Sequence, residues 1–393
     1  MLAQIGAFSL PALLPGYIAR WDLSKTEAGW LVGIFFAAYV VMVPLLVALT
    51  DRVPARRVYL FGTGLTALSH LGFALFADGF WPAMLLRVLA GIGWAGTYMP
   101  GLKAIADPLD GVAQSRAVSW HAAGVGVSGA ASFAIAGLIG NAAGPQAAFL
   151  LGSATAFAAA LLAAWAMPTV LPKATSAAPS RRLLDFRPVL RNRAALGWII
   201  GYTVHTWELA ALRAWGVTFL AVAAASPGAP ACLPDPTILF TVAGLAGIAV
   251  SITGNETAQR WGRRRVVTVA MGTAAALSLL AGWSASLSVM SAAAIVVLWN
   301  AAIYFDSSAL TAGTVQAADK DLRGATMGLH SMCGYAGGFI GPLGVGLVLD
   351  LAGPGDFGWG LAFGHLAPIT LAGLMILRRL GARGLPAAAT VRS

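Results

Sequence analysis

Apolar runs of about twenty residues recur along this chain, with short polar stretches between them. Twenty residues rising about 1.5 Å each cross the ~30 Å hydrocarbon core of a bilayer, so each run predicts a membrane-spanning helix. Twelve such segments are expected, at about 2–19, 28–49, 58–77, 80–104, 117–140, 145–167, 195–222, 237–255, 266–285, 287–312, 324–349 and 358–377. The first begins at Met1 with no basic residue ahead of it. That argues for a membrane helix rather than a signal peptide, which would open on a charged region.

The seventh run breaks the apolar pattern. Residues 195–221 read ALGWIIGYTVHTWELAALRAWGVTFLA, with His205, Glu208 and Arg213 set among Trp198, Trp207 and Trp215. A charge at the bilayer centre costs at least about 2.5–3.5 kcal/mol on insertion scales, so it needs a partner or a watery cavity. At about 100° per residue, Glu208 lies about 60° to one side of His205 and Arg213 about 80° to the other. The three share one sector of the helix, which is expected to face something polar. Glu208 and Arg213 are five positions apart, a poor spacing for an intrahelical pair. Each is therefore expected to find its partner elsewhere, with Arg87 and Asp306 as candidates.

Composition removes the soluble alternative. The 393 residues are 58% hydrophobic and 10% charged, with a mean hydropathy of +0.78. Soluble domains carry about 25% charged residues. The 47 glycines suit close packing of membrane helices through small residues. The two cysteines, Cys232 in an expected outer loop and Cys333 in a helix, give no disulfide.

The net charge of +10 reports topology rather than a nucleic-acid face, because the basic residues alternate with the spans. With the amino terminus inside, all but four of the 25 Lys and Arg residues fall on the cytoplasmic side. The exceptions are Arg20 and Lys25 outside, and Arg87 and Arg213 within spans. Both termini are expected in the cytoplasm of a bacterium, the protein lying in its inner membrane as a monomer. Residues 168–194, PTVLPKATSAAPSRRLLDFRPVLRNRA, lack a long apolar run and read as a basic cytoplasmic linker. It would join a six-helix bundle over 1–167 to a second over 195–393. The halves look related: LLVALTDRVPARRVYL follows the second segment as SITGNETAQRWGRRRVV follows the eighth, and QSRAVSW precedes the fifth as DLRGATMG precedes the eleventh. Such duplication is common in transporters, with the substrate between the repeats.

On these features the chain resembles the major facilitator superfamily of secondary transporters, and weakly its cyanate-permease-like branch. The family's loop signature is Gly, three residues, Asp, Arg, one residue, Gly, then two basic residues. Asp51, Arg52, Arg56 and Arg57 match it, while Val47 replaces the first Gly and Val53-Pro54-Ala55 lengthens the loop. In the second half Arg260, Gly262, Arg263 and Arg264 match, with Gln259 at the acid position. Glu256, one turn before Arg260, could substitute as an i,i+4 pair. The resemblance implies an all-α fold of twelve membrane helices in two pseudo-symmetric six-helix bundles. It further implies a cytoplasmic gate around Asp51, Arg52, Arg56, Glu256, Arg260 and Arg263, with Asp51 closing against the eleventh helix. In the fourth segment, LLRVLAGIGWAGTYMPG, Arg87 takes the place of an arginine implicated in proton coupling in many members; the alternative is an outer-end residue that snorkels to water.

Other polar residues within spans are Asn300 and Asp306, His121 and His330 at matching places in the repeats, and His70 and His365, which receive no role. Asp306 could accept a proton, touch substrate or serve the gate, and the two matching histidines read as satisfied core residues. No phosphate-binding loop, metal-ligand cluster or nucleophile elbow occurs, so neither an ATP-driven pump nor a cofactor is expected. An enzyme built on His205, Glu208 and Asp306, or a non-transporting sensor of the same fold, would need product formation or ligand binding without transport. The Gly144-Pro145 pair falls in an outer loop rather than in helix five, where drug antiporters of the family carry it, which favours uptake over efflux. Two intramembrane arginines favour an anionic substrate, since guanidinium forks donate paired hydrogen bonds to carboxylates and oxyanions. Arg87, His205, Glu208, Arg213 and Asp306 are the candidate substrate and proton residues, with H⁺ as the expected coupling ion.

Overall fold

The computed structural model describes residues 1–170, 185–226 and 235–381, and every regular element among them is helical. Lys173, Arg181, Arg182, Cys232, Arg383 and Arg392 lie outside the described residues, as does most of the expected linker and outer loop. In chain order the helices are α1 (Ser9–Trp21), α2 (Lys25–Leu49), α3 (Ala55–Phe76), α4 (Phe80–Thr97), α5 (Met99–Ala106), α6 (Gly111–Ala143) and α7 (Pro145–Ala166). After a short α8 (Arg187–Arg191) come α9 (Arg193–Ala224), α10 (Pro236–Trp261), α11 (Arg263–Ala281), α12 (Val289–Ala317), α13 (Arg323–Ala352), α14 (Asp356–Gly364) and α15 (Leu366–Gly381). A 3₁₀ turn at Leu2–Gln4 precedes α1.

Eleven helices among the described residues are long and apolar enough to cross a membrane, against the twelve expected. The fourth expected segment, 80–104, is instead two helices. Pro100 has no N–H to give and would crowd the carbonyl four residues back, so the chain breaks at Tyr98 and restarts as α5. α4, with Arg87 in its middle, is not among the eleven but packs against α2 and α3 within the first bundle. The last segment bends at His365 between α14 and α15, which together form one span, Asp356–Leu380. Large apolar side chains such as Leu68, Leu75, Trp165 and Leu351 point outward, as a surface bathed in lipid tails requires.

Helices α1 to α7 pack among themselves, and α9 to α15 do likewise. Three pairs cross between the bundles: α2 with α13, α6 with α10, and α1 with α9. Exchanging the halves turns the first pair into the second and leaves the third unchanged, which is what a pseudo-twofold axis produces.

The two seams close at one end of the molecule. Any Cβ at Gly29 would fall 2.7 Å from the Pro342 carbonyl oxygen, and one at Gly33 2.7 Å from that of Phe339. α2 and α13 therefore touch backbone to backbone there. At the same end the Asp350 carboxylate of α13 accepts hydrogen bonds from the Lys25 and Thr26 amides, 2.9 and 2.7 Å away, at the amino terminus of α2. In the second seam Thr241 Oγ1 of α10 donates to the Ala130 carbonyl at 2.9 Å and accepts from the Ala134 amide at 2.8 Å. Toward the opposite end, which carries Arg52, Arg56, Arg57 and Arg263 to Arg265, α2 and α13 diverge. A cavity of about 550 Å³ opens between Val43, Pro44 and Val47 on one side and Met327, Gly328 and Ser331 on the other.

Candidate functional site

α9 is the axis of the second bundle, packing against α12, α13 and α15, and α1 touches it from the first bundle. Asn192 caps its start: the side-chain oxygen accepts from the Ala195 amide at 3.0 Å while Nδ2 donates to the Ala317 carbonyl at 2.8 Å. His205 and Glu208 are three positions apart, so they leave α9 on one side and meet α12.

There the acids find separate partners. His205 Nδ1 lies 2.7 Å from Asp306 Oδ1, both side chains almost wholly buried, though the approach is off the axis of a good hydrogen bond. Glu208 Oε1 accepts from the Trp299 indole N–H at 2.6 Å, and Oε2 meets the Thr370 hydroxyl of α15 at 2.9 Å. Trp299 and Asp306 are seven positions apart on α12, two turns, and so share a face. The chemistry of the two Glu208 oxygens differs. An indole can only donate, so Oε1 must accept, whereas the threonine hydroxyl can donate to Oε2 or accept from a protonated one. The carboxyl can gain or lose a proton here without losing either contact.

Arg213, half-buried on the same helix, donates from Nη2 to the Tyr304 hydroxyl of α12. Its guanidinium carbon lies 5.1 Å from the ring centre of Phe8, from the first bundle, and 5.5 Å from that of Tyr304. It makes no ion pair with an acid among the described residues. Arg87 stands apart from this cluster. It is 2% exposed, donates from Nε to the Leu31 carbonyl at 3.2 Å and lies 4.7 Å over the Phe35 ring, all within the first bundle. The snorkelling alternative is thereby overturned, and neither Glu208 nor Arg213 takes Arg87 as its partner.

His70 is also buried in the first bundle, with Nδ1 2.8 Å from the Thr66 carbonyl and Nε2 3.1 Å from that of Gly6. His330 stacks on Tyr202 at 3.8 Å between ring centres and lies 3.1 Å from Thr314 Oγ1. Asn300 donates to the Ala243 carbonyl at 3.0 Å.

At the basic end Asp51 pairs with Lys103 of α5 at 2.6 Å, inside its own bundle. The cavity separates α13 from α2 at this end. Arg56 donates to the Ala164 carbonyl near the end of α7 and to Thr169 just beyond it. Arg263 ties α10 to α12 through Asn255 Oδ1 at 2.9 Å and the Ala309 carbonyl at 3.1 Å. The expected Glu256–Arg260 pair is absent. Both residues are exposed, and Glu256 Oε1 accepts from Gln259 Nε2 at 3.3 Å instead. With both side chains in solvent, the gain from pairing does not outweigh the entropy of holding them together.

Sequence reasoning did not assign Trp299, Thr370, Tyr304 or Lys103. Trp299 and Tyr304 fall in the LWNAAIYFDSSAL stretch already marked by Asn300 and Asp306. Thr370 is one hydroxyl in an apolar run, with nothing local to distinguish it.

Comparisons with known proteins agree with this architecture. The family model described as Major Facilitator Superfamily matches residues 1–342. A curated relative, the uncharacterized MFS-type transporter YwoD of Bacillus subtilis (strain 168), is 29% identical over 102 residues, covering 26% of this chain and 22% of that protein. Among solved structures, a mutant of the nucleoside transporter NupG superposes with a TM-score of 0.77 at 15% identity, covering 96% of this chain and 97% of that one. The human organic anion transporter MFSD10 (TETRAN) gives 0.69 at 19% identity, covering 96% of each chain. A bacterial homolog to human lysosomal transporter Spinster, in an inward-facing and unoccupied conformation, gives 0.74 at 15% identity, covering 97% of this chain and 93% of that one. At these identities the structures share the fold alone.

Proposed function

The chain belongs to the Major Facilitator Superfamily and is a multi-pass membrane transporter, and from that premise we propose that it takes up a small organic anion together with protons by alternating access. The observation that carries the reading is Arg213. It is a guanidinium at the junction of the two bundles, held between aromatic rings and bound to a neutral hydroxyl rather than an acid. A fixed cation without a counter-charge in a low-dielectric interior attracts an anion. Glu208 on the same helix, and the pair that His205 of that helix makes with Asp306 of α12, supply buried groups that can hold a proton. The reading places residues 168–194 and both termini in the bacterial cytoplasm, so the cavity beside Pro44 opens inward. The halves are assigned as 1–167 and 195–393, with the chain acting as a monomer. Cysteines placed at 226–236 should be labelled from outside intact cells and those at 175–180 should not; the reverse would overturn the orientation.

Transport itself is tested in proteoliposomes against a panel of small anions, with and without an inwardly directed proton gradient. Gradient-driven accumulation that Arg213→Ala abolishes, in protein that still inserts and folds, supports the proposal. Accumulation unchanged by Arg213→Ala removes the anion site. Efflux of an apolar cation is a second reading, favoured by one observation: the inner cavity is apolar and is rimmed by the carboxylates Asp185 and Asp321. Exclusion of a lipophilic cation from energised cells would choose it.

A further inference from the structure

The junction of the bundles also holds a cluster of aromatic rings, of which Tyr202 touches the proton groups by stacking on His205 at 5.6 Å. Tyr39 of α2 and Tyr335 of α13 face each other across the junction with ring centres 4.2 Å apart, and Phe36 stacks on Tyr335 at 6.0 Å. Tyr98, at the break after α4, and Tyr202 of α9 complete the set, the four phenols lying within electrostatic reach of one another. Tyr202 is likewise within reach of Arg213. The inner cavity stops short of this cluster, with none of the four tyrosines in its lining. Its lining includes Val43, Met99 and Ser331, which are one turn from Tyr39, next to Tyr98 and one turn from Tyr335 respectively.

Two polar atoms here are poorly paired. The Tyr39 hydroxyl and the Trp94 indole N–H are buried and make no well-formed hydrogen bond, their nearest polar neighbours being the Ser331 hydroxyl and the Tyr335 hydroxyl respectively. Native structures leave few buried donors unpaired, because each costs about 1–3 kcal/mol. A cluster meant only to fill space would be built from Phe and Leu, which carry no such cost. Phenol and indole offer flat faces and a few hydrogen-bonding edges, but no array of amides and carboxylates of the kind that holds a polyhydroxylated ligand.

We propose that the transported anion is a planar aromatic acid: its ring lies among Tyr39, Tyr202 and Tyr335, its carboxylate meets Arg213, and a polar ring substituent pairs with Tyr39 and Trp94. This rests on the anion reading above and names its substrate class. The ring is held by offset stacking and edge contacts, which a saturated ring of equal size and charge forms less well. The carboxylate distinguishes acids from their amides.

Titration calorimetry on the purified full-length transporter in detergent tests this with benzoate, 4-hydroxybenzoate, cyclohexanecarboxylate and benzamide. The expected order is 4-hydroxybenzoate, then benzoate, with cyclohexanecarboxylate and benzamide each at least about tenfold weaker than benzoate. Tyr39→Phe removes only a poorly paired hydroxyl, so folding should persist while the advantage of 4-hydroxybenzoate over benzoate disappears. Tyr335→Leu should erase the advantage of benzoate over cyclohexanecarboxylate, and Tyr335→Phe should preserve it. Equal binding of benzoate and cyclohexanecarboxylate overturns the aromatic assignment and leaves the anion reading standing. Binding of other small anions but of neither aromatic acid does the same. Binding of benzamide as tight as benzoate, or of no anion at all, overturns the anion reading and this assignment with it.

Discussion

The two bundles bury their polar groups in different ways. In the first, Arg87 and His70 are held by main-chain carbonyls, those of Leu31, Thr66 and Gly6. In the second, His205, Asp306 and Glu208 are held by side chains, namely one another, Trp299 and Thr370. A backbone carbonyl cannot change its protonation, and it moves only when its helix moves. A hydroxyl or an imidazole can swap donor for acceptor in place. Arg87 and His70 therefore serve as fasteners between helices, and on the proposed reading the second bundle's acids are the groups that cycle. The halves share a shape, while the proposed proton chemistry lies in one of them.

The largest effect that would sharpen this contrast is expected at Glu208. In Glu208→Gln the amide oxygen still accepts from Trp299, so the protein should fold, exchange substrate and lose proton-driven accumulation by about tenfold or more. Uptake measured with and without a pH gradient checks it; full accumulation would return Glu208 to scaffolding. Asp306→Asn should impair accumulation to a lesser degree. The new amide oxygen can still accept from His205 Nδ1, so the thermal stability loss should stay below the roughly 3–5 kcal/mol of a stranded buried ion. Thermal unfolding in detergent reads that directly.

Arg87→Lys tests the other half. A compact ammonium lacks the planar fork that spans Leu31 and Phe35. Unfolding temperature should fall by several degrees, while accumulation per folded molecule changes by less than about threefold. If this variant instead lost accumulation as Glu208→Gln does, the division between the bundles would be broken. Least of all is expected from Glu256→Gln, whose exposed carboxylate holds only Gln259. Transport within about twofold of wild type is the forecast, and a larger loss would restore Glu256 to the gate.

The membrane architecture was legible because its cause is local: an apolar run must cross lipid, and a charge within it must face away from lipid. That logic marked the polar sector of α9 and the need of Glu208 and Arg213 for partners on other helices. It did not give the partners. Thr370 is 162 positions from Glu208 and Tyr304 is 91 from Arg213, so only the packing of α12 and α15 on α9 makes the pairs. The family pattern suggested a Glu256–Arg260 pair, but spacing on a helix does not outweigh exposure to solvent. The break at Tyr98 follows from Pro100, a residue in plain sight whose effect was overridden by the apolar run around it.

The glycine contacts between α2 and α13 give the molecule a fulcrum. Gly29 and Gly33 rest on the backbone of α13 with no side chain between them, so the joint has almost no lever arm of its own. From Gly29 to Val47 is about 27 Å at 1.5 Å per residue, and a tilt of about 10° there sweeps Val47 through about 5 Å. That is comparable to the thickness and reach of a single flat ring. A mechanical advantage of this size means that small strains at the pinned end are read out as the width of the passage at the other, so a methyl added at Gly29 should be felt across most of the membrane.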